Sequence, residues 1–273
     1  LEIEAGLRSD YIVDYGVVIL PRLSALFKIN EKFNSRIGGG FGYKTPTIFT
    51  EESERIQYQG VLPISAAANK LEKSYGLNWD VNYRTLLFNE QVSLSINHLI
   101  FYTFLNHPLT LITESTGLYR FDNLSGHMDS KGMETNVKLS YQDFKLFIGY
   151  SLTDAKIHSD GQLRQQPLTA KHRLNNVLMY EVEDQWKLGA EAYYYGQQLL
   201  SDGAKGKSYW IFGFMAEKLF ERFSLYINFE NFSDTRQTRF DSINAGTIAN
   251  PVFRDIYAPL DGFVVNGGLK IKL

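Results

Sequence analysis

Apolar and polar residues alternate with a period of two along most of this chain, most cleanly in Phe223-Ser224-Leu225-Tyr226-Ile227-Asn228-Phe229-Glu230. Successive side chains of an extended strand point to opposite faces, so such a run meets an apolar environment on one side and a polar one on the other. Leu77, Trp79, Val81 and Tyr83 alternate in the same way with Asn78, Asp80, Asn82 and Arg84. Phe144, Leu146, Ile148 and Tyr150 alternate with Lys145, Phe147, Gly149 and Ser151. The pattern predicts about twelve strands, near residues 2–13, 21–30, 33–42, 75–87, 91–105, 118–142, 144–156, 171–183, 185–197, 207–219, 222–232 and 263–273. Helical periodicity is nearly absent.

Alternation alone fits a soluble sandwich as well as a membrane barrel. The predicted strands run to about ten residues or more, above the five or six usual in globular proteins, and this favours a barrel wall. The connections agree. Ile29-Asn30-Glu31-Lys32, Leu87-Phe88-Asn89-Glu90, Gln142-Asp143, Glu183-Asp184 and Phe220-Glu221 are tight, whereas residues 43–74, 106–117, 157–170, 198–206 and 233–262 are longer and polar. Short and long links alternate as they do between the periplasmic and outer rims of a barrel. Trp79, Trp186 and Trp210, with Tyr11, Tyr83, Tyr102 and Tyr193 to Tyr195, are candidates for the aromatic girdles at the edges of the hydrocarbon. Asn78, Asp80, Arg84, Lys145, Asn228 and Glu230 would then face a wet lumen or polar plug, since burying them in hydrocarbon costs several kcal/mol.

Composition sharpens this reading. The chain has 273 residues with 17 Tyr and 19 Phe against 7 Pro, and rings suit a pleated surface. The net charge of -2 supplies no electrostatic reason to expect a nucleic-acid partner. The absence of Cys removes disulfides, thiolate nucleophiles and Cys-based zinc sites. The longest aliphatic run, Val17 to Leu20, ends at Pro21, far short of the roughly 20 apolar residues of a spanning helix. Leu1-Glu2-Ile3-Glu4-Ala5-Gly6 lacks the basic start and apolar centre of a signal peptide and already alternates, so the chain is expected to begin within the fold. No internal repeat or linker divides it, and residues 1–273 are read as one domain.

Four segments resemble the β-barrel of TonB-dependent receptors, particularly those of Bacteroidetes type. Leu20-Pro21-Arg22-Leu23-Ser24 is followed by Gly38-Gly39-Gly40-Phe41-Gly42-Tyr43-Lys44-Thr45-Pro46-Thr47. Asp129-Ser130-Lys131-Gly132-Met133-Glu134 is similar to the Lys-Gly-Val-Glu strand of that family, and Phe229-Glu230-Asn231-Phe232-Ser233-Asp234 is similar to its Asn-Leu-Phe-Asp strand end. Ile256-Tyr257-Ala258-Pro259-Leu260-Asp261-Gly262, leading into residues 265–271, looks like its last strand. The resemblance implies an all-β, antiparallel transmembrane barrel of 22 strands, of which this chain carries the carboxy-terminal twelve, with the plug domain and first strands absent. It implies active import of a bulky nutrient across the outer membrane of a Gram-negative bacterium, driven by the TonB–ExbB–ExbD complex acting on the plug. A ferric siderophore is the first substrate class, with cobalamin, haem or a glycan as alternatives and a passive porin or autotransporter barrel as a rival of another kind. The pattern departs at Leu273, where family barrels usually end in Phe or Trp, which leaves the assembly signal or true terminus open.

Candidate chemistry is sparse. His98, His107, His127, His158 and His172 show no ligand-like spacing, so neither a metal site nor a cofactor is expected, and no catalytic motif marks an enzyme. Gly38-Gly39-Gly40 within a strand points to close strand approach rather than phosphate binding. Two loop clusters suit ligand capture. Tyr43, Thr47, Phe49, Glu51, Glu52, Arg55 and Tyr58 mix rings with polar groups, and Arg236, Arg239, Phe240, Arg254 and Tyr257 offer cations for an anionic chelate.

Overall fold

The structure is a computed structural model that describes residues 1–244 and 246–271, apart from the side chains of Glu51 and Arg55. Its strands are β1 (Glu2–Ile12), β2 (Gly16–Lys28), β3 (Phe33–Lys44), β4 (Glu72–Leu87), β5 (Val92–Asn106), β6 (Leu109–Thr113), β7 (Tyr119–Asn123) and β8 (Gly126–Tyr141). There follow β9 (Phe144–Ser159), β10 (Gln162–Gln165), β11 (His172–Val182), β12 (Trp186–Tyr195), β13 (Tyr209–Leu219), β14 (Phe223–Glu230) and β15 (Val264–Ile271). Two short helices, α1 (Glu51–Arg55) and α2 (Gln237–Phe240), lie in the long loops.

Twelve strands pair antiparallel in the order β1-β2-β3-β4-β5-β8-β9-β11-β12-β13-β14-β15, and β10 adds to β9. The sheet is open, with β1 and β15 at its edges. The predicted strands are therefore present, with two corrections to their limits. The single strand expected over 118–142 is divided: β7 leaves to pair with β6, and β8 starts at Gly126. The break has a local cause, because the Asn123 amide donates to the carbonyls of Lys70 and His107, and a Cβ at Gly126 would lie 1.9 Å from the His158 carbonyl. The second correction is that β2 begins at Gly16 rather than near 21. Pro21 is tolerated there because β2 pairs with β3 only from Arg22 onward, so on that side no partner carbonyl is left without the N–H that Pro21 lacks. Leu273 lies outside the described residues.

Register turns alternation into two continuous surfaces. Leu94, Leu139, Leu146, Leu178, Ala190, Phe214, Phe229 and Val265 stand directly opposite one another across eight successive strands. Ala25, Ile37, Trp79, Ile100, Met133 and Leu152 form a second rung on the same face. The other face carries Asp80, Leu99, Glu134, Ser151, Arg173, Tyr195 and Tyr209 on one rung. It also holds the ion pairs Lys145–Glu181 (2.9 Å) and Lys270–Glu217 (3.1 Å). The long loops fold over this second face, for Leu200, Tyr257 and Ala258 form a buried cluster with Tyr209. The polar face is thus the lumen side and the apolar one faces lipid.

Aromatic residues fix the height of the belt. Trp186 and the Phe144–Tyr180 pair lie by the tight turns, and the Tyr194–Trp210 pair lies toward the long loops. Trp186 and Tyr194 share a face eight positions apart, which is about 26 Å along a strand rising about 3.3 Å per residue, in keeping with an apolar band about 25 Å tall on tilted strands. Tyr193 and Tyr195, expected in the girdle, instead point to the lumen, because they alternate with Tyr194. The inner wall has a bare stretch where Gly38, Gly40 and Gly76 share its face, and a Cβ on the outward Gly39 would come within 2.7 Å of the Gly76 carbonyl.

The lipid assignment has a direct test. Leu178→Arg, on the outward rung, should destabilise the folded barrel by about 2–4 kcal/mol, whereas Asn175→Arg on the lumen side of the same strand should cost far less. Urea unfolding from lipid vesicles measures both, and equal losses would overturn the assignment.

Candidate functional site

Three strands bring the site together by register alone. Arg173 on β11 stands opposite Tyr195 on β12, which stands opposite Tyr209 on β13, all on the lumen face. The Arg173 guanidinium sits 4.9 Å from the Tyr195 ring centre, and Tyr195 stacks on Tyr209 at 5.0 Å. The ring series continues into the last long loop, from Tyr209 to Phe240 (6.3 Å) and from Phe240 to Tyr257 (6.3 Å). Beside it lies a recess of about 360 Å³, bounded on the strands by Glu134, Ser151, Thr153 and Arg173 and from the loops by Leu168, Gln198 and Tyr257. A cation seated on an aromatic shelf, with hydroxyls and a carboxylate around it, suits a bulky ligand carrying flat or anionic groups.

A fully buried glutamine holds the loop over this recess. Gln237 Oε1 accepts from the backbone N–H of Tyr257 (2.8 Å) and of Ala258 (3.1 Å), while its Nε2 donates to the Asp255 carbonyl (2.8 Å). The Tyr257 carbonyl in turn accepts from the Tyr209 hydroxyl (2.8 Å) and from the Gln198 amide (3.1 Å). Burial is the chief cause that pushes the Tyr257 hydroxyl above its ordinary range, with its hydrogen bond to Asp241 acting in the same direction.

Of the residues expected to grip a ligand, Phe240 and Tyr257 join this shelf. The three arginines are engaged within the protein. Arg236 and Arg239 both pair with Asp234, and Arg254 bridges Asp202 (3.1 Å) and Asp241 (3.0 Å). In the first cluster Tyr43 donates to Asp10 (3.0 Å), Thr47 accepts from the Phe49 N–H (3.1 Å), and the Phe49 and Tyr58 rings lie 5.7 Å apart and exposed. That loop is tied to the small β6–β7 sheet through Asn69, whose amide donates to the Phe121 carbonyl, and through a bridge between Val61 and Tyr119. The side chains of Glu51 and Arg55 lie outside the described residues. Sequence reasoning missed Arg173, Gln198, Tyr209 and Gln237. Arg173 and Tyr209 lie on predicted strands, but only register shows which face they share and that they meet. It also missed that His127, Asp129 and His158 converge, since the register pairs His127 with His158.

The match to a known family is direct. Residues 1–232 match the family described as TonB dependent receptor-like, beta-barrel, and the chain belongs to that family. Its fold is shared with the ferric enterobactin receptor PfeA of Pseudomonas aeruginosa, in a single-residue mutant bound to enterobactin, at a TM-score of 0.70 and 16% identity over 98% of this chain and 42% of that one. The siderophore receptor PirA of Acinetobacter baumannii is similar at 0.66 and 16%, over 98% of this chain and 43% of that one. The copper transporter OprC is similar at 0.67 and 14%, over 94% and 40%. This chain therefore spans about two fifths of the length of these solved transporters. No curated protein matches the sequence. Family members are transporters rather than enzymes, and they reside in Gram-negative outer membranes.

Two outcomes follow from the loop. Gln237→Leu orphans two buried N–H groups and a carbonyl, each costing about 1–3 kcal/mol, so residues 231–263 should become readily cleaved in limited proteolysis while the strands stay protected. Unchanged protection would show that the glutamine is dispensable. Asp202 and Asp234 set a pH dependence. The Ala204 N–H and then Arg254 hold Asp202 below its ordinary value of 3.8; burial opposes the shift at Asp234, but the Phe263 N–H, Arg236 and Arg239 outweigh it. Carboxylates with lowered values stabilise the closed loop above 3.8, and that stabilisation is lost as pH falls from there through the lowered values. Loop cleavage by an acid-active protease should rise in that window, and a flat profile would count against these pairs.

Proposed function

We propose that this chain is the carboxy-terminal part of the barrel of an outer-membrane receptor that imports a ferric siderophore. In this reading the plug and the first strands belong to the preceding part of the receptor, and the TonB–ExbB–ExbD complex supplies the work by pulling on the plug. The observation that carries the substrate class is the Arg173–Tyr195–Tyr209–Phe240–Tyr257 series on the lumen face beneath the outer loops. The Arg173 guanidinium, which donates to the Tyr195 hydroxyl (3.5 Å), attracts an anionic chelate by its charge, and the rings beside it give a flat contact that excludes water. Family membership and the fold shared with receptors of ferric enterobactin and other siderophores support it. The apolar outward belt supports a place in the outer membrane among its lipids.

A strain lacking the gene, grown on a panel of ferric siderophores, haem, cobalamin and glycans, should fail on at least one ferric siderophore. Arg173→Ala and Tyr195→Ala should each weaken binding of that chelate by about tenfold, roughly the 1.4 kcal/mol expected of a partly desolvated cation–π contact. Normal growth on every siderophore with failure on another nutrient would reassign the substrate.

A further inference from the structure

We propose that His127, Asp129 and His158 bind one divalent transition-metal ion of the zinc class on the outer surface of the barrel wall, above the lipid belt. Their side-chain ligand atoms lie within 4.8 Å of one another. His127 and Asp129 are two apart on β8 and so share a face, and His158 on β9 stands directly opposite His127. That face is the outward one, continuous with Met133 and Leu152 lower on the same two strands. The strands are 16 residues each, about 50 Å long and about 40 Å tall when tilted, so their upper ends rise beyond an apolar band about 25 Å tall. The outward residues change character at that height, from Met133 and Leu152 to Lys131, Asp154, Asp129 and Lys156. The three ligands therefore meet water and not lipid tails.

The donor set selects the ion. Two imidazoles and a carboxylate suit Zn²⁺, Ni²⁺ or Cu²⁺ better than the all-oxygen shells of Ca²⁺ and Mg²⁺, and three protein ligands leave a position for water or an outside donor. His158 Nε2 and Asp129 Oδ1 lie 2.5 Å apart in a hydrogen bond that an ion between them would replace. The ligand atoms of a tetrahedral ion sit about 3.4 Å apart at metal–ligand distances near 2.1 Å, so the present separations are within reach once one imidazole rotates out of the ring stack. Lys156, the cation opposite Asp129, pairs with Asp154 at 3.2 Å, which leaves the Asp129 carboxylate to His158.

The surroundings define what must move. The His127 ring stacks between His158 (4.2 Å) and Phe104 (4.6 Å), with Tyr75 stacked on Phe104 (4.8 Å), and because a ring nitrogen binds an ion in its own plane, one imidazole turns out of the stack when the ion enters. Strand β10 pairs with the far edge of β9 at Leu163 and His158, so the histidine backbone is bound on both sides. Ser125 and Ser159 each donate to Asp160 at 2.8 Å and lock the hairpin beside the site. Ligands borne on paired strands lose little backbone freedom on binding.

The test is Zn²⁺ titration of the intact protein purified in detergent, by equilibrium dialysis at neutral pH. One saturable ion per chain is expected, with affinity reduced at least tenfold in His127→Ala and in His158→Ala and unchanged in His172→Gln. Cu²⁺ bound to the unaltered protein provides a reading that needs no variant: its electron paramagnetic resonance spectrum should show two imidazole nitrogens. Less than one ion per chain, binding untouched by loss of both histidines, or a spectrum without two nitrogens would overturn the site.

Discussion

Inside a bilayer no water is present to satisfy the peptide group, so each strand must give its N–H and C=O groups to neighbours. That obligation pairs the strands along their length, the alternating pattern and the tight turns set the register, and register decides what every side chain meets. Once Leu178 is placed opposite Leu146 and Ala190, its whole rung is committed to lipid. The next residue on each strand is committed to the lumen, where Lys145, Glu181 and Glu217 find partners and water. The polar inner wall is thereby a consequence of the greasy outer one.

The same constraint explains the architecture of the mouth. Strands deliver side chains at fixed spacings, and loops supply what the strands cannot. The lumen shelf begins as a cross-strand row, Arg173, Tyr195 and Tyr209, and is completed by Phe240 and Tyr257 arriving from the last loop. Gln237 makes that arrival specific, because its amide answers three backbone groups that the loop would otherwise bury unpaired. Arginines near the shelf are balanced by Asp202, Asp234 and Asp241, so the loop holds its shape electrostatically and leaves Arg173 as the cation that rests on rings.

Much of the wall was legible from residue order. The run from Phe223 to Glu230 announces β14, and the alternation through Trp79 announces both faces of β4. Pairs such as Gln142-Asp143 announce the tight rim. What could not be read depends on distance across the sheet. His127 and His158 are far apart in the chain and adjacent only through register, and Arg173 meets Tyr195 for the same reason. Loop arginines looked free because their aspartate partners come from turns and helices that alternation does not describe. Asn123 and Gly126 broke the single strand expected over 118–142 through side-chain bonds and close backbone approach, neither of which has a periodic signature.

The bare stretch of inner wall at Gly38, Gly40 and Gly76 has a thermodynamic meaning of its own. Side chains pressed by a neighbour surrender rotamers, at up to about 2 kcal/mol for the long polar ones, and recover them when the neighbour withdraws. Glycines have none to surrender. Material filling the lumen against these three glycines can therefore settle or depart with no rotamer cost to them, and that cost falls on Arg22, Arg36 and Asn78, which line the same recess.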